Sequence, residues 1–547
     1  MNPQRRRLLL GSVGAATAAT LGLPAAADDA IDLHIELHAE PAEVQLRAGA
    51  ATRVWRLRGK LLRGAPQAMQ LSAGGYLGPI IRVHRGQRLR IDLFNALPES
   101  TIVHWHGLHV PEAVDGHPRF AIGPGEQFRY EFSVENRAGS YWFHPHPHGR
   151  TGKQIYAGMA GLFLVSDDEE SALGLPGGEQ DLPLVIQDRN FDDDNQFVYL
   201  GDESAAPSGT RHGMMGGRGG MGGGMMGGGM GGGMMGGGGM GSMMERMMGV
   251  LGNYILVNGQ LQASRAVEPR AYRLRLLNAS NTRTLKLAWS DGTPLTVIAT
   301  GGGLLAAPLQ RDYVMLPPAD RIELWVDFAK WAPGRAPVLR SLAFDAGMSM
   351  GSMGMGGRMG AGATLADGAA FDIQRFDIGA GKAHADVLPA TLSRIDPPQP
   401  QRAVNAGKPK VFEITMGMMK WGINGASFEM LGVSTLETVK LGTLELWEFS
   451  NDGGGSMMGM VMAHSMHVHG LQFRVISREV SRRFANDYAS VEAGHVDAGW
   501  KDTVLVMPGE RVRILLHFTD YPGLFLYHCH MLEHEDSGLM RNYLVKT

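Results

Sequence analysis

Four His-x-His pairs constrain this chain more than any other feature. They are His104-Trp105-His106, His144-Pro145-His146, His467-Val468-His469 and His528-Cys529-His530. Two lie early and two lie late in the 547 residues. In a strand, residues i and i+2 share one face, roughly 6.6 Å apart, so each pair presents two imidazoles side by side. Eight imidazoles from two domains suit a cluster of several metal ions at the interface of a first and a last domain. A fold that meets this demand brings the two ends of the chain together.

Parity then predicts a second site. Cys529 is the only cysteine, so it forms no intrachain disulfide. If His528 and His530 face the cluster, Cys529 faces the other way. The same alternation sets His464 opposite to His467 and His469. His464, Cys529 and His534 then form a trigonal His₂Cys set, with the mixed soft and borderline donors that copper prefers. An electron received there passes through Cys529 to His528 or His530. Ten of the 20 histidines fall into this scheme. His109, His117 and His148 lie near the motifs, and supporting or surface roles are expected for them.

The remaining sequence sets the frame. Residues 1–27 contain Arg5-Arg6-Arg7 before an apolar, small-residue stretch and Ala25-Ala26-Ala27. This predicts a cleaved twin-arginine-type export signal and a periplasmic protein. No later segment is apolar for long enough to span a bilayer. In an oxidising compartment, a chain without a cysteine pair must hold its fold by its cores alone. A net charge of −3 with no basic stripe argues against nucleic acid as a partner. Short alternating runs such as Leu89-Arg90-Ile91-Asp92-Leu93 and Leu444-Glu445-Leu446-Trp447, with no long 3.6-residue period, predict an all-β chain of sandwiches or barrels. The expected units are 28–170, 171–378 and 409–547, with an Ala- and Pro-rich surface linker at 379–408. The middle unit has no histidine except His212, at the edge of an insert, and reads as a spacer or wall.

These motifs resemble those of the multicopper oxidase family: H-W-H-G, W-[YF]-H-x-H, H-P-x-H-x-H-G and H-C-H-x₃-H-x₄-[ML]. The resemblance covers almost all of the chain after the export signal. It implies three cupredoxin-like Greek-key domains, four copper ions and four one-electron oxidations coupled to reduction of O2 to water. It implies a type 1 copper on His464, Cys529 and His534 and a type 2 copper on His104 and His467. A type 3 pair then falls on His106, His144, His146, His469, His528 and His530. Asp115 and Glu535 match positions used for proton delivery. Ser465 stands where the family usually has proline, and only a local backbone effect is expected. At the axial position of the type 1 copper, strict alignment puts Leu539, with Met540 one residue further as the alternative.

Methionine is the remaining anomaly, at 34 residues. Segment 213–249 is almost only Gly and Met, with 13 methionines. It cannot offset its ordering entropy by burial and is expected to be mobile. Thioether sulfur selects Cu(I). Such inserts resemble those of bacterial copper-efflux oxidases, so a monomeric cuprous oxidase in copper tolerance is the leading expectation. Met348, Met350, Met353, Met355, Met359 and Met462 are the candidate substrate site. The alternatives are a laccase-like oxidase of phenols or of Mn(II) or Fe(II), and a copper-storage or delivery protein. Four His-x-His pairs exceed what a copper nitrite reductase needs.

Overall fold

The structure, a computed structural model, describes residues 31–71, 75–200, 247–261, 264–346, 365–396, 398–417, 420–452 and 461–547. The expected export signal, 213–246 of the insert, and Met348, Met350, Met353, Met355 and Met359 lie outside the described residues.

Alternation builds the strands. In Leu33–Val44 the apolar Leu33, Ile35, Leu37 and Ala39 are buried, while His34, Glu36, His38 and Glu40 alternate with them. Where both faces of a strand are covered the alternation vanishes: every residue of Gly139–Pro145 and of His464–Val468 is buried. Such strands lie inside the molecule, between a sandwich core and a neighbouring sandwich.

One wiring recurs three times. In the first sandwich Leu33–Val44 runs parallel to Arg88–Asn95, and Ile80–His84 runs parallel to Gly161–Ser166 in the facing sheet. In the second, Asp181–Arg189 runs parallel to Ala271–Asn278, and Arg265–Val267 to Phe371–Ile378. In the third, Lys410–Gly417 runs parallel to Leu444–Ser450, and Thr438–Lys440 to Met540–Lys546. The other pairings are antiparallel, giving three mixed-sheet sandwiches, as expected for an all-β chain. Each has its own apolar core, set around Trp105, Trp289 and Trp447 respectively.

Two sheets matter for function. The first has the order Met69–Gln70, Ile80–His84, Gly161–Ser166, Gly139–Pro145, Val103–His106. The second has the order Thr438–Lys440, Met540–Lys546, Gly523–Cys529, His464–Val468, Thr503–Val506. All four His-x-His pairs sit on or just beyond strands of these sheets. Past Ile378 the chain crosses the surface of the second sandwich, fastened where Leu392 donates its N–H to the Ala306 carbonyl (2.9 Å). Among the described residues, no helix is long and apolar enough to cross a membrane.

Candidate metal centre

Strand alternation sorts each motif. In Val103–His106, Trp105 turns into the first core, with its ring 5.3 Å from Tyr130 and 5.4 Å from Phe143. His104 and His106 therefore turn outward, and His144 stands across from His104. In the last sandwich His467 stands across from His528. The two sets meet. His104 Nε2 lies 3.4 Å from His467 Nε2, His146 Nε2 lies 3.3 Å from His528 Nε2, and His144 Nε2 lies 3.3 Å from His530 Nε2; within the last set, His469 Nε2 lies 3.0 Å from His528 Nε2.

Tautomers decide what these contacts mean. The Nδ1–H of His104 donates to the Asp115 carbonyl (2.6 Å), that of His467 to the Asp502 carbonyl (2.7 Å), and that of His144 to the Pro145 carbonyl (2.9 Å). His469 Nδ1 donates to Asp115 Oδ2 (2.8 Å) and His528 Nδ1 to the Cys529 carbonyl (3.1 Å). With each proton fixed on the outer nitrogen, the inner Nε2 lone pairs point at one another. Facing lone pairs repel unless a cation lies between them, and outer-nitrogen bonds of this kind are how proteins aim metal-binding imidazoles. Burial pushes His104, His144 and His469 well below their ordinary pKa and lowers His467 to about 3, so all are neutral donors near pH 7.

The other face of the same strand carries the second site. Cys529 stands across from Met466, turned away from the cluster, and is fully buried. Its Sγ is 3.6 Å from His464 Nδ1 and 3.7 Å from His534 Nδ1. His534 Nε2–H donates to the Met247 carbonyl (3.1 Å), which leaves the Nδ1 lone pair facing the thiol. Burial pushes the Cys529 thiol up to about 12, so metal entry there releases a proton. Register settles which way the axial candidates point. His528 pairs with Met540, so Met540 shares the cluster-facing side, and Leu539 shares the side of Cys529. Leu539 is fully buried and its carbonyl accepts the Cys529 N–H (3.0 Å).

Three buried carboxylates border the cluster. Asp115 has His469 on one oxygen, and its Oδ1 has no hydrogen-bond donor; burial raises its pKa well above the ordinary range. Glu535 Oε2 lies 3.2 Å from His528 Nδ1, and its Oε1 lies 3.6 Å from His146 Nε2. Burial pushes Glu535 up, but His146 and His528 outweigh it and hold it down at about 2. Asp502 Oδ1 lies 3.1 Å from His106 Nε2.

Two models of the family described as "Multicopper oxidase" match residues 56–170 and 403–547. A laccase from Haloferax volcanii is 30% identical over 473 residues, covering 82% of this chain and 68% of that protein. The chain belongs to the multicopper oxidase family. A laccase from Bacillus stratosphericus is 29% identical over 527 residues, covering 88% of this chain and 92% of that protein. The McoA multicopper oxidase from Aquifex aeolicus superposes with a TM-score of 0.71 at 29% identity, covering 94% of this chain and 96% of that one. As a multicopper oxidase the protein uses copper, and its clusters are consistent with type 1, type 2 and type 3 sites.

The ten histidines of the parity scheme and Cys529 fall at these two places, and Asp115 and Glu535 lie against the cluster. His109 is bonded to Asp520 (2.6 Å), buried His117 to Asn542 (2.9 Å), and His148 packs on Phe428 at the surface. Ser465 does more than bend the backbone locally: its hydroxyl donates to the Pro318 carbonyl of the middle sandwich (2.7 Å). Asp502 and Arg321 go unmarked in the sequence. Nothing in their spacing marks them, and Trp142, 4.3 Å from the His144 ring, reads only as part of its motif.

The buried histidines give the copper-free multicopper oxidase a defined acid sensitivity. An unfolded imidazole takes its proton near 6.5, whereas His467 and His534 take theirs near 3 in the fold. Between those values the unfolded chain holds more protons, so stability falls as pH falls. The Tm of the copper-free protein is expected to drop steadily from about pH 6.5 to about pH 4. A flat Tm over that window, followed by calorimetry, would contradict the neutral buried cluster.

Proposed function

We propose that this multicopper oxidase oxidises Cu(I) in the periplasm and passes the electrons to O2. The export signal read at 1–27 supports the compartment. In this reading His464, Cys529 and His534 hold the type 1 copper, His104 and His467 the type 2 copper, and His106, His144, His146, His469, His528 and His530 the type 3 pair. Bound copper supplies one-electron acceptance at the Cys529 side and four-electron reduction of O2 at the cluster. The chain supplies the rest. Cys529 joins the two sites through its own backbone, and the outer-nitrogen bonds keep the imidazoles aimed. Asp115, whose pKa burial raises, holds a proton in reserve, and Glu535, kept ionised beside His146 and His528, accepts and passes on the protons that water formation consumes.

The observation that carries the substrate is where the Met-rich stretches enter and leave. Met247, at the end of the 213–249 insert, places its carbonyl on both His534 Nε2 (3.1 Å) and Trp421 Nε1 (3.2 Å). Trp421 follows Met418 and Met419, and its ring lies 4.9 Å from His464 and 4.7 Å from His534. Met462, just past the methionines at 457–460, is buried, and its carbonyl accepts from Asn451 (2.8 Å). Beyond 347–364, the carbonyls of Leu365 and Ala366 accept from Arg283, which also binds the Gly252 carbonyl. Met247, Met416, Met462, Met466 and Met531 share one apolar core with Cys529. Methionines thus line the core that encloses Cys529, and the Met-rich stretches reach the described structure beside His534 and Trp421, which supports a soft substrate such as Cu(I). The relatives named laccases favour phenol oxidation as the second reading.

Replacing every methionine in 213–246 by serine is expected to cut kcat/KM for Cu(I) by about tenfold or more and to spare turnover of a phenolic dye. Equal loss on both substrates, or none on Cu(I), would favour the laccase reading. With Leu539 as the apolar axial neighbour, Leu539→Met adds a thioether ligand and is expected to lower the type 1 potential, measured by redox titration of the blue band. An unchanged potential would mean that residue 539 does not face the copper. Asp115→Asn and Glu535→Gln are each expected to slow O2 consumption by about 10²-fold with copper content intact. Wild-type rates across pH 5–8 would remove that carboxylate from proton delivery.

A further inference from the structure

The middle sandwich holds no described histidine at the cluster, yet it reaches it through one side chain. Arg321 opens strand Arg321–Asp327 and is 1% exposed. All five of its N–H groups have acceptors. Nε donates to the Ser140 carbonyl (3.0 Å) of the first sandwich. Nη1 donates to the Ala319 carbonyl (3.2 Å) and Nη2 to the Gly301 carbonyl (2.8 Å), both in the middle sandwich. The remaining two form a fork on Asp502 of the last sandwich, at 2.6 Å to Oδ1 and 2.5 Å to Oδ2. The three domains are pinned together at one guanidinium.

Asp502 carries that grip to the metal side. Its Oδ1 accepts from Thr503 Oγ1 (2.9 Å) and lies 3.1 Å from His106 Nε2. Its backbone carbonyl accepts from His467 Nδ1–H (2.7 Å). With Nε2–H of His106 donated to Asp502, the lone pair stays on Nδ1, which lies 3.4 Å from His144 Nε2 on the cluster side. The sequence makes room for this arrangement. A Cβ on Gly107, at φ +85°, would strike Asp502 Oδ2 and Arg321 Nη2. The glycine that ends H-W-H-G therefore leaves space for the ion pair.

We propose that Asp502, held in place by Arg321, is a positioning residue that aims His106 through Nδ1 and His467 through Nε2 at the copper cluster. The proposal rests on the reading of these two histidines as copper ligands. Outer-shell partners of metal-bound imidazoles fix tautomer, orientation and basicity. Here one residue does so for histidines from two domains, and a third domain fixes that residue.

The test compares this pair with its neighbour. Lys501 and Asp320 form a buried ion pair (2.6 Å) between the same two sandwiches, with no histidine among its partners. Lys501→Met controls for interface damage. The double variant Asp502→Asn/Arg321→Met removes both charges at once and leaves neither buried alone. Arg321→Lys keeps the charge but loses the fork. Each is loaded with copper and measured for copper content, blue band, type 2 EPR signal, type 3 absorption and Tm. The double variant is expected to keep its blue band while binding cluster copper about 10- to 100-fold more weakly, with an altered type 2 signal. Arg321→Lys is expected to show the same change in part, and Lys501→Met a change in Tm alone. Wild-type cluster signals in a folded double variant or in Arg321→Lys, or an equal spectral change in Lys501→Met, would overturn the proposal. If the wild-type protein bound no cluster copper at all, the ligand reading itself would fall, which is a separable result.

Discussion

The antiparallel pairing of His464–Val468 with Gly523–Cys529 is the constraint on which the rest depends. Met466 stands across from Cys529 and His467 across from His528. That register sends thiol and imidazole to opposite faces of one sheet. A slip of one residue would turn every side chain over, moving Cys529 into the cluster and His528 into the apolar core. The register is held by what each face contains. One face packs into an apolar core with Trp447, Phe412 and Tyr527, and the other carries a nest of imidazoles, of which His467 and His528 have their outer nitrogens tied to backbone carbonyls.

Much of this was legible in the sequence, because strand parity is a short-range rule. The split of Cys529 from its flanking histidines, and of His464 from His467, needs only a period of two. That Leu539 lies on the side of Cys529 follows from the same period once the partner strand is known. What was not legible is long-range. Arg321 and Asp502 lie 181 residues apart, and each reads alone as an ordinary charge. Ser465 reads as a lost proline until Pro318 is placed beside it. The middle domain reads as a wall because it lacks histidines, while its contribution to the centre is a guanidinium and a set of backbone carbonyls.

Glycines in the motifs show the same limit from another side. Gly107 ends a motif and is needed there because an ion pair from two other domains fills the space of its missing side chain. Gly470 has φ +71°, and a Cβ there would meet the Phe525 ring. Both requirements are set by parts of the chain far away in sequence. The motif records them without revealing their cause.

The short helix Leu532–Asp536 gathers these constraints into one and a half turns. Successive residues of a helix project about 100° apart, so four neighbours can face four different partners. Glu533 accepts from Asn281 and Thr282 of the middle sandwich and from Tyr199 and Val250, which flank the Met-rich insert. His534 turns to Cys529. Glu535 turns to His146 and His528 at the cluster. Asp536 accepts the N–H groups of Thr151 (3.0 Å) and Gly152 (2.9 Å) in the first sandwich. The contact with Cys529, the carboxylate at the cluster and the contacts of both other domains are thus set by the rotation of a single segment. The geometry therefore constrains this segment tightly: a residue added inside the helix would turn all four side chains away from their partners at once.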